Sequence, residues 1–178
     1  MAPKEFRAFT TTSLGGLLRV LTNKCAVSAA ATGPGQQLRF REFLALWDTG
    51  ATNSVITQDV VDALGLRPTG VTNVKHAGGV SLANTYLVNI GLPNGVAFRD
   101  LTVTLAPLAD AQMLIGMDIM SQGDFAVTNV GGLTVFSYRY PSIKTIDYAK
   151  EADAIQRGLA AQQTKHSFYK GLGKKKHR

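Results

Sequence analysis

A single cysteine, Cys25, is the chain's only thiol. One cysteine excludes an internal disulfide and any zinc cluster built on cysteines, so a reducing, cytoplasmic setting is the simpler expectation and no metal or cofactor is expected. Cys25 itself reads as a small apolar side chain in a strand. Charged residues are also scarce, at 17% of 178 residues. No run approaches the ~20 apolar residues of a membrane span. The stretch Leu14 to Leu21 is broken by Gly15, Gly16 and Arg19, which excludes a signal-peptide core and predicts no membrane partner. What the chain does have is 45% hydrophobic residues and 18 glycines, the composition of a β-rich body with many turns. At this length it is one domain with an appendage. A function needing two symmetric lobes must find the second elsewhere.

The formal net charge of +7 is concentrated at one end. Residues 165–178 hold six Lys or Arg and no acid, while residues 1–164 set thirteen basic groups against twelve acidic ones. The basic pI therefore describes a tail, expected to be mobile and solvated, with nucleic acid or an acidic partner as the alternative use.

Short Val-, Leu-, Thr- and Phe-rich stretches at Leu17–Val27 and Leu38–Trp47, separated by the turn-forming Gly33-Pro34-Gly35, predict a hairpin that ends at Asp48. Thr57 to Gly65 predicts a short helix, with Thr57 as cap and Gly65 as stop. Hairpins are expected around Gly78-Gly79, around Pro93-Asn94-Gly95 and around Gly131-Gly132, and a strand at Met113–Ile115 followed by one or two helical turns. Beyond Pro141, Tyr148, Ala152, Ile155 and Leu159 recur at helical spacing, predicting an amphipathic helix near 146–163. The fold class is all-β: a closed β-barrel with short helices, plus a C-terminal helix and basic tail. The expected division is an N-terminal extension at 1–16, the barrel domain at 17–140, and the helix and tail at 141–178.

Trp47-Asp48-Thr49-Gly50-Ala51-Thr52-Asn53-Ser54-Val55-Ile56 resembles the active-site loop of the retropepsin-like aspartic proteases, the retroviral proteases and their cellular relatives. Met113-Leu114-Ile115-Gly116-Met117-Asp118 is similar to that family's second signature. Between them, Ala77-Gly78-Gly79-Val80 with Tyr86 beyond it is similar to the flap hairpin that closes over substrate. Together these cover roughly residues 17–138, with element boundaries good to a few residues. The viral form usually has two acidic residues after the Ala and an Arg after the signature Gly. Thr52, Asn53 and Met117 stand there instead, so the ion pair that braces viral dimers is absent, and the Gly-x-Asp form favours the cellular branch.

The resemblance implies an aspartic endopeptidase in which Asp48, Thr49 and Gly50 form the catalytic loop. Ala51, Ala77, Gly78, Gly79 and Val80 would bind an extended peptide, with Leu82 or Ile115 as further apolar lining. One Asp-Thr-Gly supplies one carboxylate, so the enzyme is expected to be a homodimer acting on peptide or protein substrates. The alternatives are a retropepsin-fold module that binds peptides without cutting them, and a nucleic-acid-associated adaptor working through the tail. Asp118 reads as a local cap, His76 as a solvated loop residue and Trp47 as packing.

Overall fold

The computed structural model describes residues 6–76 and 79–173. The chain divides after Ile143 into two compact units. The first is mostly β. Ten strands run in chain order: β1 (Arg7–Thr12), β2 (Thr22–Ala29), β3 (Arg41–Trp47), β4 (Val55–Ile56), β5 (Gly70–His76), β6 (Gly79–Gly91), β7 (Ala97–Leu105), β8 (Met113–Ile115), β9 (Asp124–Thr128) and β10 (Val135–Tyr140). Helix α1 (Gln58–Leu64) follows β4, and the single turn α2 (Met117–Met120) follows β8.

Seven strands form one sheet in the order β2-β3-β8-β4-β7-β6-β5, and β2 also pairs with β6, which turns the sheet back on itself and leaves β5 outside the ring. The β2–β3 hairpin expected from sequence is there, with Cys25 opposite Phe43. Val27, Ala45, Ile56, Val88, Ile90, Val103, Met113 and Ile115 fill the interior. In β3 the alternation of buried with more exposed residues is the period-2 signature of a strand with one buried face. In the β6–β7 ladder the register slips by one residue near Asn89, opposite the seam where β6 also pairs with β2. The Asn89 side chain takes up the freed groups, donating to Ser28 Oγ and Ala29 O and accepting from Asp100 N.

Strand β6 is 13 residues long and changes character midway. Residues 85–91 are largely buried, whereas 79–84, paired with β5, project from the body. The β5–β6 hairpin is thus a rigid base carrying an exposed arm. Gly79, at the arm's tip, has φ 121°, a conformation a side chain would strain, as the sequence predicted for this turn. Ala77 and Gly78 lie outside the described residues.

A second sheet, β1-β10-β9, lies over the Trp47 end of the core. Residues 7–12, read from sequence as part of an extension, form β1 and pair with β10 from Arg7–Tyr140 to Thr12–Val135. What draws β1 in is aromatic burial: Phe9 lies 5.9 Å from Trp47 and 5.8 Å from Phe136, and Trp47 lies 5.0 Å from Phe136 and 5.4 Å from Tyr138. Trp47 is packing, as read. Tyr138 also donates its hydroxyl to Ile119 O at 3.1 Å, tying β10 to α2.

The second unit contains the helix α3 (Tyr148–Gly173), 26 residues long. It begins where expected and runs ten residues past the expected end, so residues 164–173, read as mobile, are helical. Ala160, Ala161, Gln162, Gln163 and Lys165 are good helix formers, and neither Gly nor Pro intervenes between Leu159 and Gly171. Lys174 to Arg178, half of the basic tail's charge and more, lies outside the described residues. Among the described residues no helix is long and apolar enough to cross a membrane.

Candidate active site

Strand β3 delivers Asp48 to the surface. Phe43, Ala45 and Trp47 point into the core, Leu44 and Leu46 point away from it, and the chain then turns out of the sheet at Asp48. The turn is fixed by its own backbone. Gly50 N–H donates to Asp48 Oδ1 at 2.8 Å, and Ala51 N–H to Asp48 O at 3.3 Å. Asp48 is half-buried while Thr49 and Gly50 are exposed. The carboxylate is therefore aimed by one hydrogen bond and faces solvent.

The loop is held in a seat made by β8 and α2. Strand β8 threads between β3, to which it is parallel, and β4, to which it is antiparallel, so it sits between the two arms of the Asp48 loop. Ile115 O accepts from Asp48 N–H at 3.1 Å, directly placing that residue. Beyond it, Met117 N–H donates to Ala51 O at 2.8 Å and Asp118 N–H to Thr52 O at 3.1 Å. The backbones meet so closely that only glycine fits at 116: a Cβ there would lie 2.6 Å from Asn53 C. Ile115 itself is fully buried, which corrects its expected place in a substrate pocket.

Asp118 does more than cap a local turn. Its Oδ2 accepts from Ser54 N–H at 2.9 Å, and its Oδ1 accepts from Ser54 Oγ–H at 2.8 Å and from Ile119 N–H at 3.0 Å. Ser54 Oγ in turn accepts from Gly116 N–H at 3.1 Å. Charge-assisted bonds of this kind are roughly twice as strong as neutral ones. This bidentate brace, inside one chain, ties the far arm of the Asp48 loop to α2. Sequence reasoning noticed Asp118 but passed over Ser54, whose signal is a hydroxyl placed between the loop and an apolar pair, Val55-Ile56.

Two hollows flank the loop. One, about 410 Å³, is lined by Val20, Leu46, Trp47, Asp48, Thr49 and Phe125 among others. The other, about 320 Å³, lies between Gly50, Ala51 and Asn53 on one side and Thr72 and Val74 of the projecting hairpin on the other. Asp48, Thr49, Gly50 and Ala51 are thus brought together with a groove on either side. Val80 and Leu82 are exposed on the hairpin and line neither hollow, although Leu82 stands opposite Asn73, which does line the second one. His76 ends β5, in a strand rather than a loop. Among the described residues no group of His, Cys, Asp and Glu could hold a metal ion.

Residues 38–122 match the family described as "gag-polyprotein putative aspartyl protease". That span, just under half of the chain, contains the Asp48 loop, the projecting hairpin and the β8–α2 seat. The resemblance to retropepsin-like aspartic proteases, drawn from those same three segments, stands. Among solved structures the chain is similar to a retropepsin-like aspartic protease from Rickettsia conorii, at 13% identity over 78% of this chain and 98% of that one, TM-score 0.47. It is also similar to the EIAV protease complexed with the inhibitor HBY-793, at 20% identity over 59% and 88%, TM-score 0.46, and to the protease of simian foamy virus (mac), at 16% over 56% and 92%, TM-score 0.36. No curated protein matches the chain.

Proposed function

We propose that this chain is an aspartic endopeptidase in which Asp48 works with the Asp48 of a second copy on extended polypeptide substrates. The observation that carries the reading is the placement of the carboxylate: surface-facing, aimed by Gly50 N–H and anchored by Ile115 O, in a loop braced by Ser54 and Asp118. A fold that spends so many backbone and side-chain bonds on one exposed turn is fixing a geometry, and rigid placement is what acid–base chemistry needs.

Two carboxylates across a two-fold axis divide the labour of hydrolysis. Like charges about 3 Å apart resist joint ionisation, so the pair holds one proton. The ionised member takes a proton from the attacking water and the protonated member gives one to the scissile carbonyl oxygen. Thr49, exposed in the single chain, would reach the opposite loop and keep the carboxylates coplanar. Gly50 lets substrate backbone approach. Ala77, Gly78, Gly79 and Val80 would cover a peptide lying as a strand beside Ala51, with main-chain bonds giving affinity and the flanking hollows taking side chains. No cofactor enters this chemistry.

The test is cleavage of a peptide library between pH 4 and 7. Purified protein is expected to cut with a bell-shaped pH dependence, and Asp48→Asn to lose at least about 10³-fold in rate with unchanged folding, since one group of a pair acting as a unit removes nearly the whole effect. Cleavage that survives in Asp48→Asn sinks the proposal.

A further inference from the structure

Arg19 stands on the wall of the 410 Å³ hollow beside Asp48, and the hydrolytic chemistry gives it no task. The wall is largely apolar, with Val20, Leu46, Trp47 and Phe125 in it, and Arg19 and Asp48 are the only charged residues that line it. Arg19 is exposed, and among the described residues no acid or carbonyl takes up its guanidinium. The backbone that carries it is fixed on both sides. Before it, Leu18 N–H donates to Thr134 Oγ1 at 2.9 Å, and Thr134 is buried. After it, Leu21 O accepts from Trp47 N–H at 2.9 Å, one step beyond Thr22 opposite Leu46 in the β2–β3 ladder. The chain from Leu21 back to Arg19 therefore runs alongside the Asp48 turn.

An arginine on open surface is solvated and gains little from an ion pair. Beside an apolar wall the local dielectric is lower, so a carboxylate that reaches Arg19 there is held more firmly. The chain's own acids are placed elsewhere. Asp118 is engaged by Ser54 and Ile119, Asp124 by Arg139, and Asp59 and Asp110 line a separate hollow. The loop that a second copy would bring, residues 48–56, holds no acid besides Asp48, since Thr52 and Asn53 are neutral. A polypeptide laid past Asp48 does bring side chains to this hollow, and an extended chain advances only ~3.3 Å per residue.

We infer that Arg19 selects the substrate, taking the carboxylate of an Asp or Glu that lies within about three residues of the scissile bond. This rests on the proteolytic reading and narrows its substrate class to peptides with an acidic side chain close to the cut. The planar fork of the guanidinium matches both oxygens of a carboxylate, and it stays charged at every working pH. The methylene groups of the acidic side chain lie against the apolar wall, so one hollow reads both the stem and the charge. Arg19 also offsets the repulsion that Asp48, the other charge on that wall, exerts on an incoming acid.

Peptide pairs that differ only in Glu or Gln at one position, walked across about three residues on either side of the cut bond, test this with the full-length chain. Near pH 6 the wild type is expected to favour the Glu member at one position by about tenfold or more in kcat/KM, the scale of a hydrogen bond to a charged group. The ratio should fall toward one below about pH 4, where the substrate's own Glu is protonated. In Arg19→Gln the ratio should collapse to about one, and in Arg19→Glu a Lys peptide should replace the Glu peptide as the better substrate. Equal cleavage of every pair by the wild type, or a preference that persists in Arg19→Gln, overturns the inference and leaves the protease reading intact. An Arg19→Gln chain that self-associates more weakly in sedimentation, with the Glu-to-Gln ratio unmoved, assigns the arginine to a subunit contact and overturns it as well. If no peptide is cut, the protease reading falls, and the same pairs carrying a fluorescent label decide by anisotropy. Tighter binding of the Glu member that is lost in Arg19→Gln sustains the role of Arg19, and equal binding overturns it.

Discussion

Replacing Gly116 with alanine puts a methyl group 2.6 Å from the carbonyl carbon of Asn53, 2.7 Å from its oxygen and 3.0 Å from Ala51 O. All three are backbone atoms. Ordinary contact begins near 3.4 Å, so the two segments must part by roughly 0.8 Å, the difference between the two distances. They are joined by Met117 N–H to Ala51 O at 2.8 Å and Asp118 N–H to Thr52 O at 3.1 Å, bonds that do not survive such a displacement well. Overpacking costs about 1–3 kcal/mol and two weakened hydrogen bonds about 1 kcal/mol each. The sum, about 3–5 kcal/mol, is a large part of the ~5–15 kcal/mol that holds a domain together. Trp47, the single tryptophan, sits in the core and reports unfolding by fluorescence. At about 2 kcal/mol/M the urea midpoint should drop by roughly 2 M. Gly33→Ala is the control, since a Cβ there meets nothing within 4 Å; it should change stability by less than about 0.5 kcal/mol. Measured at one protein concentration, a Gly116→Ala loss no larger than that of Gly33→Ala would refute the close-seat argument.

Ser54→Ala and Asp118→Asn, singly and together, should show a coupling of about 1–3 kcal/mol in a double-mutant cycle, because each residue's bonds are made to the other; additive losses would contradict the brace. At the alkaline end, burial pushes the Cys25 thiol up to about 12 from 9.0. Between those values the unfolded chain releases a proton that the folded chain keeps. Stability is therefore full below pH 9 and falls as pH rises toward 12, by up to about 1.4 kcal/mol per pH unit from this group. Tyr138 is raised for the same reason, chiefly burial, with Tyr140 and Asp124 adding. Cys25→Ala should flatten the slope of urea stability against pH between 9 and 12; an unchanged slope would show that the thiol is not what titrates.

The Asp48 turn and the segment that seats it were legible because their signals are local and chemical. Asp48-Thr49-Gly50 ends an apolar strand, Leu114-Ile115-Gly116 opens a turn, and Gly65, Gly79 and Gly95 mark chain reversals that lie where the spacing put them. Strand β1 was missed for the opposite reason. Arg7-Ala8-Phe9-Thr10-Thr11-Thr12 has one large apolar residue, and its reason to be a strand is Phe9 meeting Trp47 and Phe136, partners that lie 38 and 127 residues away. The Ser54–Asp118 brace spans 64 residues, and nothing in either segment says that the hydroxyl of one meets the carboxylate of the other. Ile115 looked available because it sits one residue from a glycine near the loop, but β8 runs through the middle of a sheet and its side chains are buried on both faces. The excess length of α3 follows from propensity alone; the basic charge there had been weighed over the helix-forming residues between.

The threading of β8 between β3 and β4 also sets when the Asp48 loop can be held in place. Asp48 is made early, but Ile115, Gly116 and Asp118, which hold it, are made 67 to 70 residues later. During synthesis a nascent chain thus carries the Asp48 carboxylate on a loop that still lacks these partners through the whole of the hairpin region. Seating the loop requires residues 113–118 between β3 and β4, a closure of long sequence separation of the kind that is slow to form. The Asp48 turn thus gains its seat only after most of the first unit has been made.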